Sequence, residues 1–252
     1  MELTCFECGD AITGDDLDSL GDTFVGHARS KHEWPYSDQD IRNFAHATQR
    51  LTGSTERLEA IGEITVHRVT EDRMDDWLDF FDHHAFVGIP EWAACYCMEP
   101  HVRAPDDPVE GEDADWRANR EAMVKRLREG ETFGYLAYVD GQPAGWVNAS
   151  SRDKYALFRT VDPDGPEPED VIGISCFIVA PPYRQHGVAE ALLDRVLADA
   201  DGRGASWVEA YPFNESPVED TKNFRGPRPM FDSRRFEPVE IRGRDTVVRR
   251  SV

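Results

Sequence analysis

The run VIGISCFIV, residues 171–179, is apolar at almost every position rather than at alternate ones. A strand with that pattern has to be covered on both faces. Pro181 and Pro182 follow it and stop the sheet from continuing. The next stretch, YRQHGVAEALLDRVLADADGRG, passes from a polar turn into an amphipathic helix and closes on Gly202 and Gly204. ASWVEAYP then reads as a second strand. Two strands joined through a helix form a parallel crossover unit, which calls for a sheet with helices on its faces.

The flanking sequence extends that sheet. EITVHRV alternates as a strand, and TEDRMDDWLDFFDHHAF reads as a helix with an acidic start. WRANREAMVKRLREG is helical and ends at Gly130, a C′ glycine. TFGYLAYVDGQPAGWVNAS is a hairpin turning on Asp140-Gly141, the pair preferred in a type I′ turn. A helix near MFDSRR and strands at FEPVEIR and DTVVRRS complete an α/β chain with a mixed sheet. RAPDDPVEGEDADW and YALFRTVDPDGPEPED are charged, Pro-rich insertions.

The first sixty residues or so have a different texture. Leu17, Leu20, Phe24 and Val25 share a helical face, and Ser37 with Asp40 forms a capping box ahead of a further helix. LTGSTERLEAIG reads as a linker, which divides the chain into a small unit, 1–58, and a larger one, 63–252. In the small unit Cys5-x-x-Cys8 is followed by His27-x4-His32. Two thiolates and two imidazoles at these spacings suit tetrahedral Zn²⁺. Asp10, Asp15, Asp16, Asp18 and Asp22 surround them, which disfavours a finger that reads DNA and leaves a structural role or the docking of a protein partner.

The formal net charge of −21 also argues against nucleic acid as a partner. No apolar run approaches the length of about eighteen residues that marks a membrane span, and the N-terminus is acidic, so the expected location is the cytoplasm. The cysteine count of five is odd and the residues come in close pairs, which fits metal ligands or reduced thiols better than a disulfide framework.

The turn after the buried strand carries the chemistry. Arg184, Gln185, His186, Gly187, Val188 and Ala189 open a helix whose first N–H groups have no intrahelical partner, and the helix dipole adds positive character. Gly187 and the small Ala189 let a phosphate approach the backbone. With its flanking strand and helix, CFIVAPPYRQHGVAEALLDRVL resembles the signature segment of the GNAT superfamily of acyl-CoA N-acyltransferases. The hairpin ahead of it and MFDSRRFEPVE behind it resemble neighbouring elements of the same superfamily, from about residue 63 to the C-terminus.

The resemblance implies a fold in which two central strands splay apart to admit acetyl-CoA. Backbone groups of Phe177, Ile178 and Val179 would hold the acetyl carbonyl and pantetheine, and those of Arg184 through Ala189 the pyrophosphate. The tyrosine that often serves the superfamily as general acid is replaced here by Phe231, and the Gly of a Gly-Phe pair by Arg235. Tyr211 is then the candidate acid and Glu209 the candidate base, with Glu91 and Asp82 behind it. Cys176 reads as a small buried residue. Cys95 and Cys97 would share one face of a strand, with His101 near, as core packing or pocket lining ahead of a second metal site.

The implied reaction is transfer of an acetyl group to the primary amine of a small molecule or a protein, by direct attack in a ternary complex. Insertions at 103–116 and 159–170 would wall the acceptor pocket. The alternative is an acyl-CoA-binding regulatory module with weakened catalysis whose zinc unit docks a partner.

Overall fold

A computed structural model describes residues 1–104, 114–215, 217 and 222–252. The elements in chain order are β1 (Glu2–Thr4), β2 (Ala11–Thr13), α1 (Leu17–Lys31), α2 (Asp38–Arg50), β3 (Ile64–Arg68), α3 (Met74–Asp79), α4 (Glu99–Val102) and α5 (Trp116–Glu129). There follow β4 (Phe133–Val139), β5 (Gln142–Ser151), β6 (Val171–Val179), α6 (Val188–Ala200), β7 (Trp207–Ala210), α7 (Arg228–Asp232), β8 (Glu237–Arg242) and β9 (Asp245–Ser251). β1 and β2 form a small hairpin, and the rest make a seven-stranded sheet in the order β3-β4-β5-β6-β7-β9-β8. The β6–β7 pair is parallel, as the crossover requires, and its neighbours on both sides are antiparallel.

Local chemistry sets the turns. Asp140 and Gly141 both have positive φ, 50° and 81°, as a type I′ turn demands. Gly130 ends α5 in the left-handed region, and Ser37 and Asp40 close a reciprocal capping box on α2. The helix expected after Thr70 is broken: a 3-10 turn at Glu71–Arg73 leads into α3, which widens into a π turn at Phe80–His84. That widening lies where adjacent Phe80 and Phe81 are both buried. Cys95-Tyr96-Cys97 is not a strand. It lies in turns, with Tyr96 and Cys97 at φ 45° and 58°, so the alternation expected of its thiols does not apply. Tyr96 is anchored instead, donating to Asp82 at 2.6 Å and accepting from Arg50 at 2.9 Å.

β6 feeds two cores. Ile172, Ile174 and Phe177 pack under α6 with Val188, Leu192 and Val196, whereas Cys176 and Ile178 enter the opposite core with Trp77, Phe81 and Trp146. Strict alternation would keep 172, 174, 176 and 178 on one side. A bulge makes the difference: Asn148 pairs with Cys176 and Ala149 with Ile174, which leaves Ser175 as the extra residue.

The N-terminal unit has its own core of Leu3, Ile12, Leu20, Phe24, Ala28 and Ile41. Helix α2 is shared: Ala47 and Leu51 join the core of the larger unit, and the Trp116 indole donates to His46 Nδ1 at 3.0 Å. Among the described residues no helix is long and apolar enough to cross a membrane.

Candidate active site

The exit of β6 runs through a 3-10 turn at Pro181–Tyr183 into α6. Gln185 (φ 62°) and Gly187 (φ 84°) both adopt left-handed backbone, and Gly187 is the residue that caps the helix. A Cβ on Gly187 would meet nothing within 4 Å, so it is the dihedral and not crowding that selects glycine. No side chain caps α6, and its first N–H groups are left for an external acceptor. The linker braces this loop: Leu58 N donates to Pro182 O at 3.0 Å, His186 Nε2 donates to Leu58 O at 2.9 Å, and Arg57 reaches Gln185.

Beside the loop the sheet opens. The β6–β7 ladder runs from Val171 opposite Trp207 to Ile174 opposite Ala210 and stops there. Beyond it β6 stays with β5, while the chain after Tyr211-Pro212 turns to β9, where Phe213 bridges Asp245. Pro212 has no N–H to continue the ladder. The amide of Ala180 bonds Ala144 O at 3.0 Å, so by antiparallel alternation Cys176 and Ile178 spend their backbone groups on β5. Phe177 and Val179 turn theirs into the opening. Of the three residues assigned to the cofactor arm, Ile178 thus offers only its side chain. The Phe177 N–H donates to Phe224 O at 2.6 Å, and Val179 O accepts from Arg184 Nε at 2.9 Å.

One cavity of about 1220 Å³ joins these features. It runs from Arg184 and Gly187 along Phe177 and Val179, past Glu91 and Cys95, to Phe6, Trp34 and Phe44 of the N-terminal unit. That aromatic wall had no signature in the sequence. Glu91 stands exposed on the 3-10 turn Pro90–Trp92, with no ion-pair partner among the described residues. Asp82 lies elsewhere, held by Arg120 at 2.9 and 3.1 Å and by Tyr96.

Glu209 and Tyr211 do not line the cavity. Glu209 is fully buried, with Oε2 taking bonds from Arg249 at 2.7 and 2.9 Å and from Arg152 at 3.2 Å, and Oε1 one from Tyr211 at 2.8 Å. Burial, with Glu209 adjacent, pushes the Tyr211 phenol well above its ordinary range, and the ring stacks on Phe158 at 3.6 Å. This placement sets both residues apart from the cavity, in a buried network. Arg152 and Arg249 were not foreseen, since neither lies near Glu209 in sequence.

Phe231 is buried 6.2 Å from the Phe177 ring, beside the cofactor strand, and offers no hydroxyl. Burial pushes the Cys97 thiol well up, with the Cys176 thiol beside it. His101 is also buried, bonded to Lys154 O at 3.1 Å and to Asn148 at 3.3 Å, and burial lowers its pKa to about 4. The cluster of metal-binding type among the described residues does not include it. Of the two insertions, 159–170 does not reach the cavity, and 105–113 lies outside the described residues.

That cluster consists of Cys5, Cys8, His27 and His32, whose candidate ligand atoms lie within 4.8 Å of one another. Cys5 Sγ is 3.4 Å from His32 Nε2, Cys8 Sγ is 3.4 Å from His27 Nε2, and the two Nε2 atoms are 3.2 Å apart. Ligands of a tetrahedral zinc at usual bond lengths stand about 3.3–3.8 Å apart, so the four side chains fit that ion. His32 Nδ1 is 3.3 Å from Glu7 Oε1, a partner that orients the ring.

No curated protein matches the chain. Among solved structures, an acetyltransferase from Thermus thermophilus is 13% identical, covering 76% of this chain and 99% of its own with a TM-score of 0.44. An N-acetyltransferase from Staphylococcus aureus is 12% identical over 76% and 98%, at 0.46. PaiA N-acetyltransferase from Thermoplasma acidophilum, in complex with coenzyme A, is 10% identical over 75% and 99%, also at 0.46. The model of the acetyltransferase (GNAT) family matches residues 66–216, more than half of the chain. The chain belongs to the GNAT acetyltransferase family and is an acyl-CoA N-acyltransferase.

Proposed function

We propose that the chain moves an acetyl group from acetyl-CoA to a primary amine by direct attack in a ternary complex. The observation that carries this reading is that the uncapped start of α6 and the open edge of β6 face one continuous cavity. Backbone N–H groups between Arg184 and Ala189 take the pyrophosphate. Pantetheine lies along the Phe177 and Val179 backbone, and the thioester carbonyl takes over the Phe177 N–H from Phe224, which polarises it for attack. The amine nitrogen bonds to the acetyl carbon, the carbon–sulfur bond breaks, and the coenzyme leaves as the thiolate. Glu91 receives the proton that the amine loses. Of the carboxylates on the cavity, Glu99 is paired with Arg103, Asp40 is bonded in the Ser37 capping box and Glu190 stands at the start of α6. Glu91 is exposed beside the acceptor end with no ion pair among the described residues.

Residues 1–58 form a unit in which Cys5, Cys8, His27 and His32 hold Zn²⁺. When bound, the ion supplies folding energy and no chemistry to the reaction. The unit supplies a wall of the acceptor cavity through Phe6, Trp34 and Phe44, rather than a docking face for a protein partner. Thiolate ligands need reduced cysteine, which supports the cytoplasm as the protein's location.

The test is thiol release from acetyl-CoA by the full chain with a panel of primary amines, beside calorimetric titration with coenzyme A. Amine-dependent thiol release supports the reading. Coenzyme A binding without turnover on any amine would mean a cofactor sensor instead.

A further inference from the structure

Arg225 is 1% exposed and is one of the residues that line the cavity. Nη1 donates to Ser175 O, the carbonyl of the β6 bulge, at 2.7 Å. Among the described residues Nε and Nη2 have no hydrogen-bond partner, and Nη2 lies 3.9 Å from Glu99 Oε2. A buried guanidinium with donors unspent is costly, and native proteins keep such groups where something else completes them. Phe158 and Phe224 flank it at 5.0 and 5.1 Å, which fixes its plane.

Two more arginines reach the same end of the cavity. Arg103 Nε and Nη1 are also buried without a hydrogen bond among the described residues, although Nη1 is ion-paired with Glu99 at 3.2 Å, and Arg244 leans on the Phe213 ring at 5.1 Å. The opposing carboxylates are Glu99 and Asp245. Asp245 is the weaker counter-ion, because burial raises its pKa. Three guanidiniums against two carboxylates leave a positive pocket in a chain whose net charge is −21. The coenzyme phosphates do not explain it. The pyrophosphate loop follows the end of β6, while Ser175 lies roughly 13 Å back along the strand from Val179.

Resting on the acetyltransfer reading, we infer that Arg225, with Arg103 and Arg244, binds an oxyanion of the acceptor, so that the substrate is an amine that also carries a carboxylate or a phosphate. The anion docks at the bulge and holds the amine toward Phe177, where the acetyl carbon sits. Planar donors that are already oriented suit such an oxyanion.

The experiment titrates the full chain, saturated with coenzyme A, with benzoate and separately with inorganic phosphate by calorimetry. One of the two binds, which tells carboxylate from phosphate, and Arg225→Gln and Arg103→Gln each weaken it at least about ten-fold. Arg244→Gln, at an exposed position, weakens it without threatening the fold should Arg225→Gln fail to fold. Failure of both anions to bind, binding that coenzyme A abolishes, or affinities unchanged in every variant would overturn the inference. In turnover, phenylalanine exceeds phenethylamine about ten-fold in kcat/KM, and Arg225→Gln or Arg244→Gln narrows that ratio. Preference for phenethylamine also overturns it. Calorimetry reads the anion site without acetyl transfer, so a protein that binds the anion but acetylates nothing sinks the catalytic reading alone.

Discussion

Arg249 places Nη2 and Nε on a single oxygen of Glu209, at 2.7 and 2.9 Å, across the β7–β9 pair. With Arg152 on the same oxygen, Glu209 is the shared counter-charge of two buried cations. Glu209→Gln leaves Arg152 buried without a carboxylate and Arg249 with Asp162 alone, and costs about 3–5 kcal/mol of stability, read from urea denaturation. At a temperature where the variant is folded, kcat stays within about three-fold of wild type.

Glu91→Gln has the opposite profile. It sits on an exposed turn, so unfolding is unchanged, while kcat falls about 100-fold or more and the KM for acetyl-CoA is retained. The acidic limb of the pH–rate profile disappears in the variant. A pH profile and rate equal to wild type would assign the proton to another group.

Gly187→Val tests the anion-binding turn. A β-branched residue at φ 84° pays about 1–2 kcal/mol in this region, and the strain falls on the N–H groups that hold the pyrophosphate. The KM for acetyl-CoA rises about ten-fold with a smaller change in kcat, as steady-state kinetics would show.

Purified protein carries one zinc per chain, and a chelator removes it with loss of thermal stability, read by metal analysis and calorimetry. Because α2 belongs to both cores, the loss extends beyond the first sixty or so residues, and hydrogen exchange around Trp116 and Tyr96 rises as well. Cys5→Ser reproduces the effect without chelator.

His101 gives a pH signature. Its imidazole stays neutral in the folded protein down to about 4, against 6.5 for an ordinary histidine. The unfolded chain takes up the proton first as pH falls through that window, so stability drops with acid, by about 2 kcal/mol at pH 5 relative to pH 7. His101→Gln removes this part of the slope in denaturant midpoints measured at the two pH values.

What the sequence revealed was local. The Asp140-Gly141 turn, the Ser37–Asp40 capping box, the Gly130 helix end and the crossover after β6 depend on residues within a few positions of each other. Their physics is complete in a short window. Cys5, Cys8, His27 and His32 were legible as a set because ligand chemistry restricts residue types strongly. The surroundings of Glu209 were not legible, because its partners Arg152 and Arg249 are brought to it from distant parts of the chain. The Cys95–Cys97 segment misled through its alternation, since Tyr96 is held by Arg50 and Asp82 from distant helices. The bulge at Ser175 and the buried Arg225 have no local signature at all, and both depend on how β5 and the 222–227 segment meet β6.

The Phe177 amide has a single proton to give, and the Phe224 carbonyl holds it. A thioester that claims this proton must first turn the segment aside, so its apparent affinity is the intrinsic one scaled by how often the segment stands away. If that happens about one time in a hundred, the penalty is about a hundred-fold. The next residue in the chain is Arg225. Cofactor entry and the grip on the acceptor are thus carried by adjoining links of one peptide, and whatever displaces the first resets the second. By reciprocity, a bound acceptor changes the coenzyme's affinity by the same factor. In the proposed reaction, the coupling between the two substrates runs through the bond between Phe224 and Arg225.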